Sequence, residues 1–434
     1  TVISLSDDVV FDIPSATFTL NSKSRMCVEE SNAIKDVLSR RKMEERIQIL
    51  DHSSESQEIT MLNVVLTMKC DGRCLYCYAA DNIADNMPEI TIGSIQEQLA
   101  NLRTRGYILN VSNVRFYGGE PFKSSHIGEI VSFLHQEFPN CLFYISTGLL
   151  LNEEDFQQAF QTCKTWIEQQ INFYLGVTVD FGVEDKNFTR RNIYHYNRET
   201  LLERTSKLEQ IGCSVRYVSI LNKYTDADLL FKHLIQHFAS KPNLASSMST
   251  TGEKKLTYRI CCADHPTLYP TTELLTDVAH RMLNSYDLPI TSNLFPYTDV
   301  VFNARVVCLE EDVFTLVYPN MYCKIFNGLI TLTPFGFTDC HMTPYKNQLE
   351  PSSQEEKLLL SEECRNCSFF LMCRGGCIKR RVFLINSPEA QQAHCIWTKY
   401  SYILGVWRLW KMYPSKQQFK DMLCSHVDRK QIIM

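Results

Sequence analysis

No stretch of the 434-residue chain stays apolar for the roughly 18 residues that a membrane-spanning helix needs. The first residues, Thr1 to Asp8, have neither the basic start nor the apolar run of a signal peptide. Charge of one sign is also scarce: Lys and Arg number 44 against 49 Asp and Glu, a net charge of -5. That excess is too small to expect a nucleic-acid partner or an electrostatic grip on a membrane. Internal repeats and low-complexity tracts are missing. These absences leave a globular, cytoplasmic chain of two or three domains, with 44% hydrophobic residues to fill its core.

Cysteine is what the sequence has in quantity. The 18 cysteines would suit a disulfide scaffold in a short secreted chain, but not one of this length without an export signal. In a reducing compartment, clustered cysteines read as metal ligands, and ten of the 18 fall into two sets.

The order of elements is mostly alternating strand and helix. Residues 1–58 form a small module, with strands expected over Val9–Ile13 and Thr17–Leu20, a turn at Asn21–Arg25, a helix over Glu29–Ile47 and a polar linker at Asp51–Gln57. Residues 59–310 then read as six βα units. The strands are Leu62–Thr67, Val111–Tyr117, Cys141–Ile145, Phe173–Val179, Ser214–Leu221 and Lys255–Cys261. Helices fall at Ile92–Leu102, His126–Phe138, Glu153–Gln169, Glu199–Ile211 and Ala227–Phe238, with Gly106, Pro139 and Gly212 as stops. Repeated βα units imply a parallel sheet, and six fit an α/β fold that is a partial (β/α)6 TIM-like barrel with its chemistry at the C-terminal strand ends. Leu244–Gly252 reads as a loop. Residues 311–397 are cysteine-dense with short elements. In 398–434, Thr398–Met412 reads as an aromatic-rich amphipathic helix packing against the cysteine-rich part.

The first cysteine set, Cys70-x3-Cys74-x2-Cys77, follows the first barrel strand. Three thiolates can hold three irons of a cubane and leave the fourth iron open to a ligand. A structural zinc site wants four ligands, commonly in paired C-x2-C knuckles, and no fourth lies nearby. The loop resembles the signature of the radical S-adenosylmethionine (radical SAM) superfamily, with Tyr76 as the aromatic residue before the last cysteine. The resemblance implies a [4Fe–4S] cluster on Cys70, Cys74 and Cys77 whose open iron binds S-adenosylmethionine, and a 5′-deoxyadenosyl radical as the reactive species. Three further segments agree. Gly118-Gly119-Glu120-Pro121 is similar to the GGEP segment that meets the cofactor's amino group. Ser146-Thr147-Gly148 stands where relatives often have Thr-Asn-Gly, and Val177-Thr178-Val179-Asp180 resembles their Ser-x-Asp-Gly stretch. Thr147, Thr178 and Asp180 are the cofactor-binding candidates there. Arg190 or Arg191 follows at a spacing suited to the cofactor carboxylate, with Arg191 as the candidate.

The second set, Cys364-x2-Cys367-x5-Cys373-x3-Cys377, is joined by Cys395 and, upstream, by Cys323 and Cys340 around Gly336. It resembles the SPASM domain and its two auxiliary [4Fe–4S] clusters. Carried over, Cys364, Cys367, Cys373 and Cys395 hold the outer cluster, and Cys323, Cys340 and Cys377 the inner one. The fourth inner ligand is either Cys308 or an open position for a substrate thiolate; Cys308 as a buried structural thiol is the alternative. The family has one residue more between the glycine and the second cysteine than stands between Gly336 and Cys340.

SPASM relatives act mostly on peptides and proteins. The resemblance therefore implies a maturase of ribosomally synthesised precursor peptides that forms a thioether or carbon–carbon cross-link, served by a reductant such as flavodoxin or ferredoxin. The 1–58 module resembles a partial leader-peptide recognition domain, which binds extended peptide by strand addition. Two other activities compete. Sulfatase-maturating relatives carry Asp directly after the second inner-cluster cysteine, where this chain has His341, and cofactor biosynthesis uses the same parts. A metal protein without chemistry is disfavoured by the open three-cysteine site.

Overall fold

A computed structural model describes residues 2–4, 6, 9–12, 17–20, 58–77, 79–80, 88–184, 189–240, 257–263, 265–284, 305–310, 313–317, 328–338, 340, 367, 369, 378–413 and 415–425. The expected turn at Asn21–Arg25, helix at Glu29–Ile47, linker at Asp51–Gln57 and loop at Leu244–Gly252 lie outside the described residues.

Six strands form the expected parallel barrel wall, in the spatial order Thr257–Cys262, Ser214–Leu221, Phe173–Thr178, Leu142–Thr147, Ile108–Gly118 and Glu58–Thr67. Each neighbour in space is a neighbour in sequence, as right-handed βα crossovers require. The five crossovers are the helices Ile92–Thr104, Ile127–Glu137, Glu153–Glu168, Arg198–Gln210 and Ala227–Ala239; a sixth helix, Thr272–Asn284, follows the last strand. Polar side chains cap five of these helix starts, Asp226 and Thr271 among them. Thr91 Oγ1 accepts from Ser94 N, Asn152 Oδ1 from Asp155 N and Asn197 Oδ1 from Thr200 N. Helix periodicity is legible because it is obeyed: Ile95, Leu99 and Leu102 are all buried. The strands read as apolar runs because helices cover them, and Leu62, Val64 and Leu66 are fully buried.

Two features depart from the sequence reading. A seventh parallel strand, Leu329–Thr333, pairs with Glu58–Thr67 on the side away from Ile108–Gly118, and turns back antiparallel through Gly336–Thr338. Gln98 Nε2 on the first barrel helix donates to Thr333 O at 2.9 Å and fixes this strand. Gly328, at φ +75°, begins it; its carbonyl accepts from Thr60 N and Met61 N, and a Cβ there would strike Glu58 O.

The N-terminal strands, moreover, do not pack by themselves. Val2–Ser4, Val10–Asp12 and Thr17–Thr19 join Val313–Val317 and Arg305–Glu310 in one five-stranded sheet, in which Thr17–Thr19 pairs antiparallel with Val313–Val317. Three-residue strands bury too little to stand alone, and the distant hairpin completes their face. A division of the chain at residue 310 thus falls inside a hairpin of that sheet.

The helix Pro388–Met412 begins ten residues before the expected start and joins two cores. Ala393, Trp397 and Leu404 belong to the barrel core, while Tyr402, Val406 and Trp410 pack with Phe11, Phe18, Phe314 and Phe369. Tyr269 and His394 share a buried 2.9 Å hydrogen bond on the barrel side. Its main partners are therefore the barrel and the N-terminal sheet, with Cys367 and Phe369 among its described contacts from the cysteine-rich part.

Candidate active site

The first barrel strand ends at Thr67, and the chain then runs over the C-terminal rim of the barrel. Gly72–Cys74 pairs antiparallel with Arg190–Asn192, a short ribbon that ties the cysteine loop to the segment after the fourth strand. Flanking bonds extend the tie: Leu75 N donates to Thr189 O at 3.0 Å, and Ile193 N to Asp71 O at 3.2 Å. Gly72 N donates to Cys70 Sγ at 3.3 Å, and Cys77 N to Cys74 O at 3.1 Å. A Cβ on Gly72 would lie 3.2 Å from Cys70 Sγ and 3.7 Å from Cys74 Sγ, so the glycine leaves room for both sulfurs.

Burial pushes all three thiols up. The Cys74 thiol rises to about 11, opposed by the Arg190 guanidinium. Cys70 is raised further, by burial and then by Glu120, and Cys77 is raised by burial. Without metal all three stay protonated at neutral pH, so metal binding must release protons. Among the described residues, no three His, Cys, Asp or Glu side chains converge as ligands of a single metal ion. The donor set of three thiols on one loop fits three irons of a cubane rather than a zinc knuckle.

Beside the loop, the end of the second strand makes a close passage. Gly119 N donates to Thr67 O and Glu120 N to Lys69 O, both at 2.8 Å. A Cβ on Gly118 would strike Thr67 O, and one on Gly119 would strike Lys69 O. The Glu120 carboxylate, 1% exposed, accepts from Thr147 Oγ1 at 2.7 Å, Gly148 N at 2.8 Å and Phe122 N at 3.4 Å. Burial raises its pKa against these bonds. Pro121 opens the short 3-10 turn Pro121–Lys123. Glu120 and Thr147 thus meet each other across the strand ends.

Asp180 sits at the end of the fourth strand with φ +45°, a left-handed backbone tolerated best by Asn and Asp. Its buried carboxylate accepts from Tyr76 Oη at 2.6 Å, Thr189 Oγ1 at 3.2 Å and Ile220 N at 3.2 Å. Thr178 lies half-buried on the same strand, opposite Val218.

The ribbon settles which arginine faces inward. Residues alternate across a strand, so Arg190 and Asn192 are buried while Arg191 is exposed. The expectation for Arg191 is therefore corrected: Arg190 enters the site. Its Nη1 donates to Tyr76 Oη at 3.3 Å, and its Nη2 occupies the space where a Cβ of Gly148 would be. Its Nε has no partner among the described residues. Burial disfavours its charge, but its bond to the Tyr76 oxygen and the nearby Asp180 carboxylate outweigh burial and hold it protonated.

Sequence reasoning missed the supports. Lys123 Nζ bridges Asp71 and Asp155 at 3.0 and 2.8 Å, and Tyr194 Oη donates to Asp71 Oδ2 at 2.8 Å, so the one carboxylate in the loop is neutralised. Lys69 pairs with Glu89, which also accepts from Ser124 and Ser125. Arg204 Nη1 donates to Leu149 O and Leu151 O, holding the turn after Gly148. Of the second cysteine set, Cys340 and Cys367 are described as half-buried and Cys395 as exposed. Cys308 is described only through its strand backbone. Cys323, Cys364, Cys373 and Cys377 lie outside the described residues.

No protein-family model matches the chain. Its fold is similar to that of Streptococcus suis SuiB bound to the precursor peptide SuiA, with a TM-score of 0.52 and 13% identity over 81% of this chain and 78% of that one. It is similar also to anSMEcpe with bound AdoMet, with a TM-score of 0.54 and 14% identity over 86% and 97%. In sequence, the chain is 38% identical over 73 residues to a GTP 3′,8-cyclase of Mycobacterium sp. (strain KMS). That match covers 17% of this chain, and it spans about a fifth, 21%, of the relative's length.

The chain thus shares the partial-barrel fold of SuiB and anSMEcpe, with a three-thiol loop at the barrel's rim. Among the described residues, no helix is long and apolar enough to cross a membrane.

Proposed function

We propose that the chain is a maturase that cross-links a residue of a ribosomally made precursor peptide by radical chemistry. The observation that carries the reading is the loop of Cys70, Cys74 and Cys77, tied by a ribbon beside the glycine passage and the inward arginine. Cys70, Cys74 and Cys77 would hold the [4Fe–4S] cluster. When bound, cluster and S-adenosylmethionine supply a 5′-deoxyadenosyl radical, which abstracts hydrogen from carbon.

The protein's own residues do the rest. Gly118 and Gly119 let the end of the second strand pass against the backbone of Thr67 and Lys69, where a Cβ would clash, and so hold Glu120 beside the cysteine loop. Arg190 keeps a buried positive charge and a free N–H for the cofactor carboxylate. Glu120 and Asp180 fix Thr147, Gly148, Tyr76 and Thr189 around it. Leu150, buried against Gly72, would help to keep water from the cysteine loop.

Two lines support a peptide substrate: the fold shared with SuiB, which was solved with its precursor peptide, and the second cysteine set. In this reading Cys364, Cys367, Cys373 and Cys395 hold an outer auxiliary cluster and Cys323, Cys340 and Cys377 an inner one, with Cys308 or a substrate thiolate as fourth ligand. Such clusters accept the electron that a net two-electron oxidation releases. Residues 1–58 would receive the leader, and flavodoxin or ferredoxin would supply electrons.

The test is anaerobic reconstitution with iron and sulfide, followed by dithionite, S-adenosylmethionine and the short peptides encoded beside the gene. The expected result is 5′-deoxyadenosine together with a peptide lighter by two hydrogen atoms. The Cys70→Ala, Cys74→Ala, Cys77→Ala variant should lose 5′-deoxyadenosine while keeping most auxiliary iron; 5′-deoxyadenosine from that variant would overturn the site. A second reading, chemistry on a nucleotide, rests on the 73-residue similarity to the GTP 3′,8-cyclase. Conversion of GTP with no change in any peptide would favour it.

A further inference from the structure

The ribbon that carries Cys74 has a second face. Arg73 and Arg191 are direct cross-strand partners, and both are exposed. Like charges directly opposite each other on adjacent strands destabilise the pair. Nothing in a two-stranded ribbon of three residues each offsets that cost by packing. Arg73 is also held in place, since its Nη1 donates to Cys70 O at 2.7 Å and to Gly72 O at 2.8 Å. The nearby carboxylate of Asp71 is taken up by Lys123 and Tyr194 and does not neutralise the pair. Two residues beyond Arg191, just past the end of the strand, Ile193 is 50% exposed. A fixed basic pair beside an exposed aliphatic side chain stands out on a chain whose net charge is -5.

We propose that this outer face, Arg73, Arg191 and Ile193, is the docking surface for an acidic one-electron donor protein of the flavodoxin class. The inference rests on the radical SAM reading of the cysteine loop. The ribbon is one peptide layer thick: Cys74 and Arg190 belong to its inner side, and Arg73 and Arg191 to its outer side. A donor seated on the arginines therefore lies across a single layer of backbone from the thiolates. One electron leaves the donor's reduced flavin and is taken up at the thiolate-held site, with no proton or group transferred. The arginines steer an acidic partner, and Ile193 supplies the apolar contact that salt does not screen.

The experiment uses the reconstituted full chain and a purified flavodoxin. Binding of oxidised flavodoxin is followed by stopped-flow or calorimetry at low and at physiological ionic strength, for the wild type, Arg191→Glu and Ile193→Ser. The expected result is roughly tenfold or more slower association for Arg191→Glu, with a flattened salt dependence, and weaker binding for Ile193→Ser with its salt dependence kept. In parallel, 5′-deoxyadenosine formation by Arg191→Glu should fall with flavodoxin as reductant and stay at the wild-type level with dithionite. Arg73→Glu is a second variant, read by binding alone because Arg73 also braces Cys70. Wild-type flavodoxin binding by Arg191→Glu, or no binding by the wild type at low salt, would overturn the docking surface alone. Absence of 5′-deoxyadenosine from the wild type with dithionite would overturn the underlying reading, and the docking proposal with it.

Discussion

The hydroxyl of Tyr76 donates a 2.6 Å hydrogen bond to Asp180 Oδ2, joining the cysteine loop to the end of the fourth barrel strand across 104 residues of sequence. Both side chains are buried, and the same carboxylate gathers Thr189 and the backbone of Ile220. The loop is thus set by the barrel rather than by its own residues.

Tyr76→Phe removes one of three donors from Asp180 and leaves the other two. A destabilisation of about 1–2 kcal/mol is expected, read as a lower thermal midpoint of the iron-free protein. The iron content after reconstitution should stay near that of the wild type, because no thiol moves.

Arg190 and Arg191 should separate sharply although they are adjacent. Arg190→Ala leaves the buried Glu120 and Asp180 without their cation, and a loss of about 3–5 kcal/mol is expected. Arg190→Lys should recover part of it, since an ammonium restores the charge but not the planar fork of donors. Arg191→Ala, on the exposed face, should change stability by no more than about 0.5 kcal/mol. Denaturant unfolding of the three variants checks the order.

Gly119→Ala and Gly93→Ala form a steric pair. The added methyl at 119 meets the Lys69 carbonyl, which cannot rotate away, and the cysteine loop must shift. Lower iron retention and weaker S-adenosylmethionine binding by calorimetry are expected. At 93, inside a helix, the nearest atom is Thr91 Oγ1 at 3.9 Å, so alanine should stabilise by about 0.5–1 kcal/mol through helix propensity.

Glu89 gives a pH signature. Burial opposes its ionisation, but bonds from Lys69, Ser124 and Ser125 outweigh it and hold its pKa below the usual 4.5. A carboxyl group with a depressed folded pKa contributes stability that is full above its unfolded value, and loses it as pH falls through the folded value. Glu89→Gln should therefore be less stable than the wild type by about 1–2 kcal/mol at pH 7, and the gap should close below pH 4.5. Thermal unfolding across pH 3.5 to 8 tests this.

How legible the molecule was follows from the range of its interactions. The barrel strands and their helices showed in the sequence because each buries a periodic face, so Ile95, Leu99 and Leu102 announce a helix by spacing alone. The cysteine loop showed because its chemistry is local. The ribbon did not: Gly72–Cys74 and Arg190–Asn192 are three residues each, too short for any period, and only their register makes Arg190 the inward arginine. Lys123 likewise carries no mark of its bridge between Asp71 and Asp155, which adjoin only in space. The strand Leu329–Thr333 escaped notice because its partner lies 268 positions earlier.

That seventh strand governs how the gene can be cut. Leu329–Thr333 covers the backbone amides and carbonyls of residues 61–64 on the side the second barrel strand does not reach. A fragment stopped after the sixth barrel strand would bare that row at the barrel's open edge, where a neighbouring fragment can add its own strand and seed aggregation. Catalytic barrel and cysteine-rich remainder must accordingly be expressed as a single polypeptide, and a soluble stand-alone barrel would require a charged or proline-blocked first strand.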